Sequence, residues 1–65
     1  MSNQVIIHCQ DSLLNVLNNS GLIYFESDYN DEYDVFVDNI EGLEDSELCE
    51  HYGLDYNQVN CIELI

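Results

Sequence analysis

The seven residues EYDVFVD, Glu32 to Asp38, decide how the rest of the chain is read. Successive side chains of a β-strand point to opposite faces, so residues two apart share a face. Tyr33, Val35 and Val37 therefore fall on one side, and Glu32, Asp34, Phe36 and Asp38 on the other. An apolar face opposite an acidic one predicts a strand packed on a core with its back to solvent. Phe36 is ambiguous by this pattern: it is either a second core residue or an anchor for a partner.

The neighbouring segments follow from that strand. DYND, residues 28–31, is turn chemistry, because Asp and Asn bond their own backbone and tolerate turn geometry. LIYFES, Leu22 to Ser27, predicts a second strand close enough to pair with Glu32–Asp38 as a hairpin. Upstream, Leu13, Leu14 and Leu17 lie at helical spacing, which predicts a short amphipathic helix over 11–19. Asp11 or Ser12 is the candidate N-cap, and Gly21 suits the left-handed residue after the helix end. QVIIHC, Gln4 to Cys9, reads as the first strand.

Downstream, NIEG is a turn, and Asp45 to Tyr52 predicts a second helix ended by Gly53. Acidic residues in its first turn suit the positive end of the helix dipole. Leu48 and Tyr52, four apart, point to the core. GLDYNQ is a loop or one more helical turn, and Val59 to Ile65 is the last strand. Residues 1–65 form one domain of α+β class. It is a small antiparallel sheet of three or four strands with one or two helices on one face. Using every element gives the ferredoxin-like order β-α-β-β-α-β.

The charge is the second decisive feature. The chain has 14 Asp and Glu, no Lys and no Arg, for a net charge of −14. Only Asp11 precedes residue 26, and eleven acids lie between Glu26 and Glu50. Hydrophobic residues make up 46% of the chain, too many for a disordered acidic tail. The protein therefore folds against its own repulsion, and added salt should stabilise it. One reading of the acid is a solvated surface, as in proteins of salt-loving organisms, which nevertheless usually keep some cations.

Several functions are disfavoured. Phosphate backbones and anionic membranes repel this charge, so neither direct nucleic-acid binding nor membrane association is expected. No apolar stretch approaches the roughly 20 residues of a membrane span, and MSNQVIIHCQ lacks the features of a signal peptide. Three cysteines without an export signal point to reduced thiols in a cytosol. No enzyme is expected: His8 and Cys9 would project to opposite faces of a strand, and no Gly-rich phosphate loop is present. No cofactor or metal is expected either. The Cys49–His51 pair lacks zinc-site spacing, and DYNDEYD lacks the glycine and final glutamate of a calcium loop. Cys9, Cys49 and Cys61 read as small buried hydrophobes. The alternative is a metal protein gathering those cysteines with His8 and His51.

The acid itself carries the functional signal. Glu32, Asp34 and Asp38 form a row along a strand, and Glu44 and Glu47, with Glu41 and Glu50, form a row on a helix. Duplex DNA carries one charge per ~1.7 Å, so fourteen charges correspond to about 24 Å of duplex, close to the span of such a domain. The expected partner is a basic nucleic-acid-binding protein. The candidate partner-binding residues are Glu26, Asp28, Asp31, Glu32, Asp34, Phe36, Asp38, Glu41, Glu44, Asp45, Glu47 and Glu50. Tyr29, Tyr33 and Tyr56 are further candidate aromatic anchors.

In size, charge and mixed α/β pattern the chain resembles small acidic inhibitors encoded by phages and mobile elements. These include anti-CRISPR proteins, antirestriction DNA mimics and uracil-DNA glycosylase inhibitors. EYDVFVDNIEGL, Glu32 to Leu43, is similar to the strand, acidic turn and glycine stretches of antirestriction proteins. No motif aligns residue by residue, so no site is carried over. The small size favours the anti-CRISPR class. That resemblance implies a monomer in the cytoplasm of a bacterial host. It also implies a target on the PAM-reading or duplex-entry surface of a CRISPR-Cas effector. The alternatives are an inhibitor of a restriction system or of uracil-DNA glycosylase, and an acidic interaction module with no DNA-competitive role.

Overall fold

A computed structural model describes residues 3–29 and 31–65. Its strands are β1 (Gln4–Gln10), β2 (Ile23–Glu26), β3 (Glu32–Asp38) and β4 (Val59–Leu64), and its helices are α1 (Leu14–Ser20) and α2 (Asp45–His51). Short 3-10 turns at Asp11–Leu13 and Tyr56–Gln58 lead into α1 and β4. All pairings are antiparallel, in the order β2-β3-β1-β4. This is the ferredoxin-like connectivity anticipated from the sequence, with all four strands and both helices present.

The register sorts the side chains. Val5, Ile7 and Cys9 of β1 lie opposite Val37, Val35 and Tyr33 of β3. Those positions are buried or packed against the core, together with Leu13, Leu17, Leu48 and Cys49 from the helical segments and Leu54 from the loop after α2. Both helices thus cover one face of the sheet, as their apolar positions require. Among the described residues the other face carries no helix.

Several local expectations are corrected. The segment 11–19 is not one helix: Asp11–Leu13 winds as a 3-10 turn before α1 begins. Neither Asp11 nor Ser12 caps it; Gln10 and Leu13 occupy the cap positions without side-chain bonds, and the Ser12 hydroxyl instead meets Gln58. Helix α2 has the cap that α1 lacks. Glu44 and Glu47 form a reciprocal capping box, with the Glu44 amide donating to Glu47 Oε1 at 3.2 Å. Cys61 is exposed on β4, whereas Cys9 and Cys49 are buried as expected. Asn30, in the expected DYND turn, lies outside the described residues.

Candidate partner-binding face

The helix-free face is built from the alternate residues of all four strands. Two adjacent cross-strand rows dominate it. One row runs Ile23, Phe36, Ile6, Glu63, and the next runs Phe25, Asp34, His8, Cys61. Ile23 and Phe25, on edge strand β2, are 63% and 60% exposed. Phe25 meets Phe36 edge-to-face, with ring centroids 5.6 Å apart. Phe36 is therefore not in the helix-covered core; it supports an exposed apolar patch on the open side. Asp34 and Asp38 flank Phe36 along β3, each two residues from it and so on the same face.

The centre of the face is a histidine ringed by carboxylates. His8 is only 9% exposed. Its Nδ1 lies 2.7 Å from Asp34 Oδ1 and 3.2 Å from Glu32 Oε1, and its Nε2 lies 2.8 Å from Glu63 Oε1. Asn60 donates to the other oxygen of Glu32 at 2.8 Å. A register shift in the β1–β4 pairing falls between His8 and Cys9. Bulges of this kind re-aim neighbouring side chains and increase local twist. Burial is the largest single influence on the His8 pKa and lowers it. The hydrogen bonds and charges of Asp34 and Glu63 together outweigh it, and the pKa ends above its ordinary value. As an imidazolium, His8 is the one side-chain cation of this sheet, tying β1 to β3 and β4. One positive charge against three carboxylates leaves the cluster two charges negative.

The other acids fall elsewhere. Glu26, Asp28 and Asp31 sit at the β2–β3 end, where the Asp11 amide donates to the Asp31 carbonyl at 3.0 Å. Asp11, Glu26, Asp31 and Glu32 line a shallow acidic cavity there with Tyr29, of about 320 Å³. Asp45, Glu47 and Glu50 are exposed on α2, with Glu41 and Glu44 in the segment leading into it. Since α2 covers the opposite side of the sheet, its acids and those of β3 cannot form one continuous row. The twelve expected residues thus divide into three groups, of which Glu32, Asp34, Phe36 and Asp38 share the helix-free face. Tyr29 and Tyr56 are exposed, whereas Tyr33 packs on the core.

Ile23, Phe25 and Glu63 were not anticipated from the sequence, and His8 was anticipated only as a companion of the cysteines, not of carboxylates. In LIYFE both faces of β2 are apolar, so alternation cannot tell the outward Ile23 and Phe25 from the inward Leu22 and Tyr24. His8 bonds residues 26 and 55 positions away, and no local pattern announces contacts of that range.

The imagined Cys–His gathering does not form. Cys9 and Cys49 lie in the core, His8 and Cys61 lie on the helix-free face, and His51 is exposed on α2. Burial pushes the Cys9 thiol up to about 12 and the Cys49 thiol up to about 11. Burial, then Glu32, Glu63 and Asp34, raise that of Cys61. All three are the reverse of an activated thiolate nucleophile. Among the described residues no helix is long and apolar enough to cross a membrane. Comparison of the chain with protein-family models, with curated proteins and with solved structures found no match.

Proposed function

We propose that this protein is an acidic DNA mimic that occupies the DNA-binding surface of a basic enzyme, with a CRISPR-Cas effector as the foremost candidate. One observation carries the reading: fourteen carboxylates on a body 30 Å long, with no Lys or Arg anywhere in the chain. That is about one charge per 2.1 Å of the long axis, against ~1.7 Å for duplex DNA. A Lys- and Arg-lined groove built for duplex would attract such a body over long range and at high rate.

Charge alone would give weak binding, because exposed ion pairs contribute little. The apolar patch of Ile23, Phe25 and Phe36 beside Asp34 and Asp38 supplies the anchor that tight association needs. Ferredoxin-like sheets of the RRM type use aromatic residues on this face to stack bases. Here carboxylates surround those positions, which suits a protein partner with basic side chains and repels RNA and DNA.

The test is inhibition. Purified CRISPR-Cas effectors of several types, a type I restriction enzyme and uracil-DNA glycosylase are assayed for duplex binding with and without the protein. Loss of DNA binding by one of them, relieved by the combined substitutions Asp34→Asn, Asp38→Asn and Phe25→Ser in a folded variant, supports the proposal. Inhibition that survives all three changes would remove this face from the mechanism. Tight association with a partner whose DNA binding is undisturbed would favour the interaction-module reading instead.

A further inference from the structure

We propose that His8, Glu32 and Asp34 form a binding site for one divalent transition-metal ion, with Glu63 orienting the imidazole from its far side. The proposal does not rest on the partner reading. It starts from donor type. One imidazole nitrogen with carboxylate oxygens is a set that Zn²⁺ takes readily and that Co²⁺ and Mn²⁺ also accept.

Donor spacing is the second observation. The ligand atoms of the three residues all lie within 4.8 Å of one another. His8 Nδ1 is 2.7 Å from Asp34 Oδ1 and 3.2 Å from Glu32 Oε1. Two donors each about 2.1 Å from one ion stand roughly 3.0–3.4 Å apart at octahedral or tetrahedral angles. The donors already hold nearly that separation, and they hold it on adjacent central strands in which His8 pairs directly with Asp34.

The third observation is the far side of the ring. Metal-bound histidines almost always donate their other N–H to a carboxylate, carbonyl or water, which fixes the tautomer. Glu63 Oε1 sits 2.8 Å from His8 Nε2 in that relation, leaving Nδ1 to face Glu32 and Asp34. Without an ion, one Nδ1 hydrogen must serve two carboxylates, and it can make a linear bond to only one. A divalent cation takes the place of that hydrogen: it meets both carboxylates at once, binds the neutral imidazole at Nδ1, and leaves three carboxylates against two positive charges, one negative charge in all. The acidic residues of α2 have no imidazole among them apart from the exposed His51, and so offer no comparable set. The Glu32 and Asp34 side chains are 15% and 24% exposed, which leaves the ion a route in and room for water in its remaining positions.

The experiment is a Zn²⁺ titration of chelator-stripped full-length protein by calorimetry at pH 7.5 and moderate salt, with native mass spectrometry for stoichiometry. Co²⁺ serves as a spectroscopic stand-in. The expected result is one equivalent bound. Glu32→Gln and Asp34→Asn should each weaken binding at least tenfold. Glu63→Gln should weaken it about tenfold, because the carboxylate that orients the imidazole through Nε2 is lost. Glu50→Gln, the same charge change placed on α2, should leave it unchanged. His8→Asn should abolish binding, and since that change also threatens the fold, the acid variants carry the test. Absence of saturable binding overturns the site. So does binding of several ions weakened equally by Glu50→Gln, which would mean an adventitious ion only. One equivalent retained in both Glu32→Gln and Asp34→Asn would place the ion elsewhere and equally overturn the assignment.

Discussion

At His8, one imidazole faces Glu32 and Asp34 from β3 and Glu63 and Cys61 from β4. Its pKa is raised in the fold above the ordinary 6.5, Asp34 and Glu63 prevailing over burial. A group of this kind binds its proton more tightly folded than unfolded. Its contribution is therefore complete below about 6.5 and is lost as pH rises through the folded value. Urea unfolding of metal-free protein should give a falling midpoint across that interval, with the imidazole resonances titrating above 6.5. His8→Gln should flatten the slope. A midpoint that rises with pH there would contradict the imidazolium assignment. Cys9 and Cys49 act in the same direction in a higher window: their thiols stay protonated in the fold to about 12 and about 11, so stability should fall again above pH 9. At this scale the sequence was legible for Val35 and Val37 and opaque for His8. Alternation reports which face a residue takes, not which distant strand lies beside it.

The elements were more legible than the residues. Strand β3 matches its expected bounds, Glu32–Asp38, because its alternation is clean and turns bound it on both sides. Helix α1 was harder. Its leucines gave the helical period, but the choice of Asp11 or Ser12 as cap rested on residue type, and the chain enters the turn straight from β1 without a side-chain cap. The end of α1 is firmer. Gly21 has φ 77°, a conformation that costs an L-residue about 1–2 kcal/mol. An added Cβ would meet nothing within 4 Å, so the cost is purely backbone. Gly21→Ala should therefore destabilise the fold by about 1 kcal/mol without disturbing the sheet, measured by urea unfolding with a conserved NMR fingerprint. A neutral or stabilising result would contradict the left-handed cap.

For the whole molecule, the opposing forces are a small core and a large charge. Among the described residues the core holds ten buried apolar side chains, Ile7, Val35 and Cys49 being among those fully buried. Against it stands a charge of −14 that no Lys or Arg relieves. Added NaCl should raise the thermal midpoint steeply between low ionic strength and about 0.5 M, since the Debye length falls from roughly 30 Å at 0.01 M to below 10 Å. A flat response would mean the charges are already compensated, for example by bound cations. The overall α+β order was readable because each of the six segments carries a cue of its own: alternation in β3, helical leucine spacing in α1, Leu48 and Tyr52 four apart in α2, and short apolar runs in β1, β2 and β4. The division of the acids between two sides was not, because it depends on which face the helices cover.

Mimicry of DNA is tested by competition on a responsive DNA enzyme. Labelled duplex is titrated with the enzyme at several fixed concentrations of this protein, and fluorescence anisotropy is read. If the protein mimics DNA, the apparent Kd for duplex rises linearly with protein concentration while the bound plateau stays constant, and the effect fades as salt is raised. A lowered plateau with unchanged apparent Kd would place the protein away from the DNA site and contradict mimicry.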